Sequence, residues 1–391
     1  MSNTFLNKLR LKSFIAARTL GYTYDYVERL YQIYLNHHKI IHFRDGYPVY
    51  SLSTPPLFSK PAANFFARSL YRTIQNKNLP NIMSFAINDI CNVNCKHCSF
   101  FEGVKDTKKK VLTLEECQQV ISQAQELGVS VINFVGGEPL MREDLSEIIQ
   151  AVDKDLSSTA IFTNGYFLED KIEKLKQAGL DGVYVSIDSA DPQKHDLFRG
   201  KRGLFAKAIA GIGKAKTLGL TVGFSCTLTP ETLHMGEMEK LLELAKKVGV
   251  HEVLFFDAMP SGRYRYRKDL VDRHDWVEEI ILKSKRYNLD PAYPGVLVWA
   301  YVTSHRSVGC SCGTSYFYVS PYGDLMSCDF NHAIFGSVRE KPLYQIWETV
   351  SSHADFFQAK WGGCKIKDGK FRNKDSVCSG DGCINCKTHK L

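Results

Sequence analysis

The chain has 391 residues, 44% hydrophobic and 24% charged, with a formal net charge of +8, which is enough to bury a large core and to form more than one structural unit. No run of about 18 or more apolar residues occurs, so no membrane-spanning helix is expected, and the start MSNTFLNKLRLKSFIAARTLGY lacks the apolar stretch and cleavage site of a secretory signal. The twelve cysteines are therefore expected in a reducing compartment, where clustered thiols mean metal or redox chemistry more often than disulfides.

The first 80 residues carry eleven basic side chains against three acidic ones, which accounts for the whole net charge. This marks a separate N-terminal unit, 1–80, with an anionic neighbour. Its first stretch, FLNKLRLKSFIAARTLGYTYDYVERLYQIYLNHHK, reads as one or two amphipathic helices rich in Tyr, Leu and basic residues. Such helices can lie on an anionic membrane through residues 1–40, or pack against the rest of the chain with a solvated basic face. The expected location is cytoplasmic, membrane-associated in the first case. His37 and His38 have no Cys or carboxylate nearby in sequence and read as surface residues. The stretch SLSTPPLFSKPA (51–62) reads as an extended linker that could cross the mouth of the unit that follows.

From residue 83 a short β-rich run followed by a helix-length amphipathic run repeats about six times. The strand candidates are MSFAINDI (83–90), VINFV (131–135), STAIF (158–162), VYVSI (183–187), TVGFSCT (221–227) and EVLFFD (252–257). Between them lie helix candidates such as TLEECQQVISQAQELG and FLEDKIEKLKQAG, both ending in Gly as helix stops often do. This is α/β alternation, which implies a parallel sheet covered by helices, either open and doubly wound or an incomplete barrel. In both cases ligands bind at the C-terminal ends of the strands. The chemistry-bearing residues fall there: Cys91, Cys95 and Cys98 after the first strand, Gly136-Gly137-Glu138-Pro139 after the second, Thr163-Asn164-Gly165 after the third, Ser186 and Asp188 at the fourth, Cys226 at the fifth and DAMPSGR after the sixth.

Cys-x3-Cys-x2-Cys supplies three thiolates from one loop. Thiolates favour zinc or iron–sulfur clusters. A structural zinc closes its shell with four protein ligands, whereas three fit a four-iron cluster with one iron left open to a heteroatom ligand. A zinc borrowing His97 or a distant residue is the alternative.

The loop Cys91-Asn-Val-Asn-Cys95-Lys-His-Cys98 resembles the signature loop of the radical S-adenosylmethionine (SAM) superfamily, and GGEP resembles that superfamily's second-strand motif. The resemblance covers roughly residues 83–300 and implies a partial (β/α)6 barrel over 81–300. It implies that Cys91, Cys95 and Cys98 hold a [4Fe–4S] cluster whose fourth iron binds the amino and carboxylate groups of SAM. One electron then cleaves the sulfonium to methionine and a 5′-deoxyadenosyl radical that abstracts hydrogen from substrate. A reducing partner such as flavodoxin or ferredoxin is implied. Within that frame Gly136, Gly137 and Pro139 belong to the cofactor loop, and Glu138 can accept from the cofactor's ammonium group. Ser186, Asp188 and Asn164 are placed to hydrogen-bond a ribose, Arg199 to pair with the cofactor carboxylate, and Phe100 to pack on adenine.

Cys117 sits among Leu114, Val120, Ile121, Ala124 and Leu127 at helical spacing and reads as core. Cys226 reads as core or as a catalytic hydrogen donor to substrate. The last unit, 301–391, holds Cys310, Cys312, Cys328, Cys364, Cys378, Cys383 and Cys386, with few apolar residues in its final segment. Seven cysteines with little core point to metal. YFYVS, PYGD and LMSC read as a β-hairpin with a Gly turn. Two zinc ions would fit the composition, but Cys312-x10-Gly323-x4-Cys328 resembles the opening of the SPASM extension. That extension carries one or two auxiliary iron–sulfur clusters in radical enzymes that mature peptides and proteins. The later block here, Cys378-x4-Cys383-x2-Cys386, departs from the family's Cys-x2-Cys-x5-Cys-x3-Cys, and seven thiolates are one short of two full clusters. One auxiliary cluster using Cys328 and some of the C-terminal cysteines is expected.

The resulting expectation is a radical SAM enzyme, an oxidoreductase or transferase, acting on a lipid or other small metabolite. The alternative substrate is a side chain of a ribosomal peptide. A zinc-binding nucleic-acid module would need Lys/Arg clusters with aromatics near the cysteines; KIKDGKFRNK is a poor match, and no nucleic acid is expected as a partner. A non-catalytic iron–sulfur scaffold would need neither GGEP nor the polar strand ends.

Overall fold

The computed structural model describes residue 13 and residues 39–372 apart from 76, 272–274, 305–306, 308 and 357–362. The basic amphipathic stretch with His37 and His38, and the cysteines Cys378, Cys383 and Cys386, lie outside the described residues. Among the described residues no helix is long and apolar enough to cross a membrane.

A two-stranded hairpin, β1 (His42–Arg44) and β2 (Tyr47–Val49), precedes the helix Lys60–Gln75. All six predicted strands then form: β3 (Ile82–Ala86), β4 (Val131–Val135), β5 (Ser158–Thr163), β6 (Gly182–Ser186), β7 (Thr221–Leu228) and β8 (Glu252–Asp257). Helices separate them as expected. The helix Leu114–Glu126 is opened by a capping box between Thr113 and Glu116 and buries Cys117, Val120, Ile121 and Ala124; Cys117 is core, as its spacing predicts.

The parallel sheet does not stop at six strands. It continues past β8 to β9 (Gly295–Val298), and on the other side β3 pairs in parallel with β10 (Tyr316–Val319). Two antiparallel strands, β11 (Asp324–Cys328) and β12 (Asn331–Ser337), follow β10, giving the order β12-β11-β10-β3-β4-β5-β6-β7-β8-β9. The predicted hairpin is β10–β11. The Cys-rich C-terminal region is thus built into the barrel sheet. β9 escapes sequence reading because GVLV is four residues long and follows two prolines. The first strand is shorter than predicted: after Ile87, whose amide donates to the Val135 carbonyl at 3.0 Å, the chain turns under the β4 loop.

Period-two alternation divides each strand. Outward residues such as Ile132, Phe134, Phe224, Cys226 and Leu228 join the core against the helices. Inward residues include Ser84, Asn133, Ala160, Gly182, Gly223 and Ser225. Their small size leaves the barrel hollow between β3 and β7, where an eight-stranded barrel normally fills itself with side chains.

The 51–62 stretch does not cross the barrel mouth. It plugs the opposite end, at the N-termini of the strands. Ser51 Oγ donates to Glu252 Oε1 at 2.7 Å and the Leu52 amide to Glu252 Oε2 at 3.0 Å. Leu52 sits where a Cβ on Gly182 or Gly223 would be, 2.3 and 2.8 Å from its methyl carbons, and packs with Tyr184, Leu254 and Leu297. A buried carboxylate needs donors, and Glu252 at the start of β8 draws them from the linker and from Tyr184.

The hairpin is tied to this end by His42, whose ring lies 4.1 Å from that of His251. His251 Nδ1 accepts from the Val222 amide at 2.9 Å. Burial and the neighbouring His42 hold His251 down to about 4, and burial lowers His42 as well. Because the folded values lie below the ordinary histidine value, the neutral rings favour the fold above about pH 6.5. That contribution is lost as pH falls from there toward 4. The melting temperature is expected to drop over this window, and to drop less in His251→Asn; an equal slope in the variant counts against the assignment.

Candidate active site

Cys91, Cys95 and Cys98 follow β3 and all face one cavity of about 960 Å³. The loop is held from three sides. Asn164, after β5, donates from Nδ2 to Asn92 Oδ1 at 2.8 Å and lies 4.0 Å from the Cys91 sulfur. Arg199 Nη1 donates to the Cys95 sulfur at 3.6 Å. Arg263, after β8, donates from Nη1 to the Cys95 carbonyl at 2.6 Å and from its amide to the Cys98 carbonyl at 3.0 Å. Arg263 was not singled out in the sequence; its loop was recognised only as a strand end.

GGEP acts through its backbone shape. Gly136 has φ +145° and a Cβ there would sit 2.8 Å from the Asn88 carbonyl oxygen; on Gly137 it would sit 2.0 Å from that of Ile90. The glycines admit the 88–90 segment that leads into Cys91. Pro139 opens the 3-10 turn Pro139–Met141. The Glu138 carboxylate is 1% exposed and already engaged: Oε1 accepts from Thr163 Oγ1 at 2.5 Å and the Leu140 amide at 3.1 Å, and Oε2 from the Asn164 amide at 2.8 Å. It straps the β4 loop to the end of β5. Glu138→Ala would leave three buried donors without an acceptor and is expected to cost about 2–4 kcal/mol of stability. Chemical denaturation of the metal-free chain checks this; an unchanged midpoint contradicts the strap.

Asp188 and Arg199 face each other. Arg199 Nη2 lies 2.6 Å from Asp188 Oδ2, and both side chains are buried. Burial alone would raise Asp188; the Arg199 guanidinium holds it below the usual carboxylate range. Asp188 Oδ1 accepts from the Thr227 amide at 2.8 Å. The pair therefore braces Cys95 from beneath, and neither Asp188 on a ribose nor Arg199 on a carboxylate follows from the geometry. His97 stacks on Phe198 at 5.0 Å with its Nε2 4.0 Å from Asp188; burial lowers it to about 4 and keeps it neutral. Ser186 lines the cavity, as the ribose assignment requires. Phe100 packs with Ala86, Val104, Tyr318 and Met326, and presents only part of its surface to the cavity. Cys226 is fully buried on the outward face of β7, while its neighbours Ser225 and Thr227 line the cavity. It is a core residue that does not reach the cavity, which counts against its acting as a hydrogen donor to substrate.

A second set of thiols gathers around Cys310, which lines the same cavity. Cys312 lies close enough to interact with both Cys310 and Cys328, and Cys364 close enough to feel the charge of Cys310 and Cys328. Cys312 Sγ also lies 3.0 Å from Ser327 Oγ. Cys364 is brought in by Lys367, which forms a buried ion pair with Asp257 at the end of β8, and by Arg372, which donates to the Pro260 carbonyl at 2.6 Å. Between the two sets, Tyr316 donates to Asp329 and lies 2.6 Å from Ser84 Oγ.

The donor sets fit clusters. A four-iron cluster has its irons at separate corners and takes thiolates spread around it. Three thiols at the first site match a cluster with one open iron; four at the second match a fully ligated one. Burial pushes the Cys91 thiol up to about 12, so cluster assembly there must displace a proton.

A family model described as the radical SAM superfamily matches residues 86–245, and SPASM, described as an iron-sulfur cluster-binding domain, matches residues 310–387. An AdoMet-dependent heme synthase of Methanosarcina barkeri is 28% identical over 330 residues, 78% of this chain and 91% of that protein. A GTP 3′,8-cyclase of Clostridium botulinum is 31% identical over 259 residues, 64% of this chain and 75% of that one. Among solved structures, Streptococcus suis SuiB bound to precursor peptide SuiA has a TM-score of 0.58 at 14% identity, covering 81% of this chain and 74% of that one. A structure of anSMEcpe with bound AdoMet has a TM-score of 0.55 at 18% identity, covering 73% and 89%.

Proposed function

The chain belongs to the radical SAM superfamily, and it is therefore an enzyme that uses SAM, a [4Fe–4S] cluster and auxiliary iron–sulfur chemistry in a SPASM domain; we propose that its substrate is a lipid or other small metabolite. The cavity carries this reading. At about 960 Å³ it is at the upper end of small-molecule pockets, large enough for SAM and one modest partner. The Ser51–Thr54 plug forms part of its lining at the lower end. The two sequence relatives above are named for a small molecule each.

We assign Cys91, Cys95 and Cys98 to the cleavage cluster and Cys310, Cys312, Cys328 and Cys364 to one auxiliary cluster. When bound, the first cluster with SAM supplies a 5′-deoxyadenosyl radical for hydrogen abstraction. The chain's own part is positional. Arg199 and Arg263 fix the cysteine loop, Asp188 neutralises Arg199 in a dry setting, and the Gly136–Gly137 turn with Ser186 leaves a cradle beside the cysteines. An electron donor such as flavodoxin or ferredoxin is required. Residues 1–40 would serve a membrane-bound substrate, the role proposed for their basic, aromatic composition.

Heavy-water labelling tests the substrate class. Cells grown in heavy water carry C–D bonds, and abstraction transfers deuterium into 5′-deoxyadenosine. Reduced, anaerobically reconstituted enzyme should acquire label from the lipid and small-metabolite fraction. Label arising only from the peptide fraction would reverse the assignment in favour of peptide maturation.

A further inference from the structure

Asn133 lies at the middle of β4, between Ile132 and Phe134 of the helix-facing core, and so points into the barrel, where it lines the cavity. It is in register with Ser84 on β3 and Ala160 on β5. The residue is 9% exposed, and its Oδ1 is buried without any hydrogen-bond partner. A fold does not keep an unpaired amide oxygen inside a barrel for stability, since each such atom costs about 1–3 kcal/mol. Across the barrel, Trp299 directly follows β9 and lines the same cavity. Its Nε1 is likewise buried without a partner, and its ring lies 5.4 Å from Phe256. One atom lacks a donor and the other lacks an acceptor.

Part of the lining is apolar, formed by Phe162, Leu254, Phe256, Leu297 and Val302. Tyr184, Leu254 and Leu297 pack on Leu52 of the plug, with Phe162, Phe256 and Val302 against them. The cationic Arg199 is engaged by Asp188 and Cys95. A charged group resting on this apolar part would be desolvated.

We propose that Asn133 and Trp299 are the two poles of a substrate subsite across the barrel interior, which takes an uncharged molecule with an apolar body, a hydrogen-bond donor at one end and an acceptor at the other. The donor meets Asn133 Oδ1, the acceptor meets the Trp299 indole N–H, and the body lies on the apolar floor. This rests on the reading that a small molecule occupies the cavity, and it narrows that molecule's chemistry.

The test uses the full reconstituted chain and three rigid probes: 4-hydroxyacetophenone, with a donor and an acceptor at opposite ends; its methyl ether, which lacks the donor; and 4-acetylbenzoate, which is charged. Calorimetric titration is run at a pH where the phenol is neutral. The hydroxy compound is expected to bind about tenfold more tightly than the ether, the value of one buried hydrogen bond. That preference should vanish in Asn133→Leu, and Trp299→Phe should weaken both neutral probes to a similar degree. Because no protein hydrogen bond is lost, Asn133→Leu should melt at or above the wild-type temperature. Failure of every probe to bind, a preference that survives in Asn133→Leu, tighter binding of the carboxylate, or a lower melting temperature for Asn133→Leu would each overturn the assignment. The broader functional reading fails separately, through deuterium label arising only from the peptide fraction.

Discussion

Replacing Cys95 by Ala is expected to reduce SAM cleavage to background. Of the three cysteines in the loop it is the most buried, and it is the one gripped from two directions, by Arg199 at its sulfur and Arg263 at its carbonyl. Its loss removes one of only three thiolate anchors and leaves a buried guanidinium facing a methyl group. The variant should lose about four irons per chain and retain those of the auxiliary site. Iron analysis, with the yield of 5′-deoxyadenosine from reduced protein, measures both. Continued cleavage with every other cysteine intact would sink the assignment of this loop.

Cys328→Ala is expected to separate cleavage from product. Cys328 ends β11 and stands beside Cys312, with Cys310 and Cys364 completing the group. The variant should lose the auxiliary irons and all product, while SAM cleavage stays within about tenfold of wild type because the first cysteine set is untouched. Wild-type product formation by this variant would show that the second set holds no working cluster. Loss of cleavage as well would point to the contacts between the sites: Lys367 with Asp257, and Arg372 with Pro260, lead directly into the loop that carries Arg263.

The parts of this architecture legible in the sequence are those encoded locally. Three cysteines in eight positions, GGEP at a strand end and Gly-terminated amphipathic helices each carry their signal within a few residues. The side of Cys226 was also legible, since Phe224, Cys226 and Leu228 form an apolar row alternating with Ser225 and Thr227. The partnerships were not. Asp188 and Arg199 each looked suited to a cofactor because a lone acid and a lone base were weighed separately; the fold sets them 2.6 Å apart. Glu138 is bonded to Thr163 and Asn164, which no spacing rule announces. The plug position of 51–62 depends on Gly182 and Gly223 leaving room for Leu52, a fit between segments more than 100 residues apart. The four-thiol group needed Cys364, placed by an ion pair to a residue on β8.

The parallel pairing of β10 with β3 bears on how the molecule is made. The two strands are joined by more than 200 residues of intervening chain, so the first strand of the barrel waits, one edge bare, until nearly the whole polypeptide has left the ribosome. Distant pairings of this kind slow folding and lengthen exposure to aggregation. The cysteine-rich end is thus no detachable cassette: grafting it onto another barrel would also require a matching first strand. Expression truncated before residue 316 should give insoluble material even though the whole SAM-cleaving half has been translated.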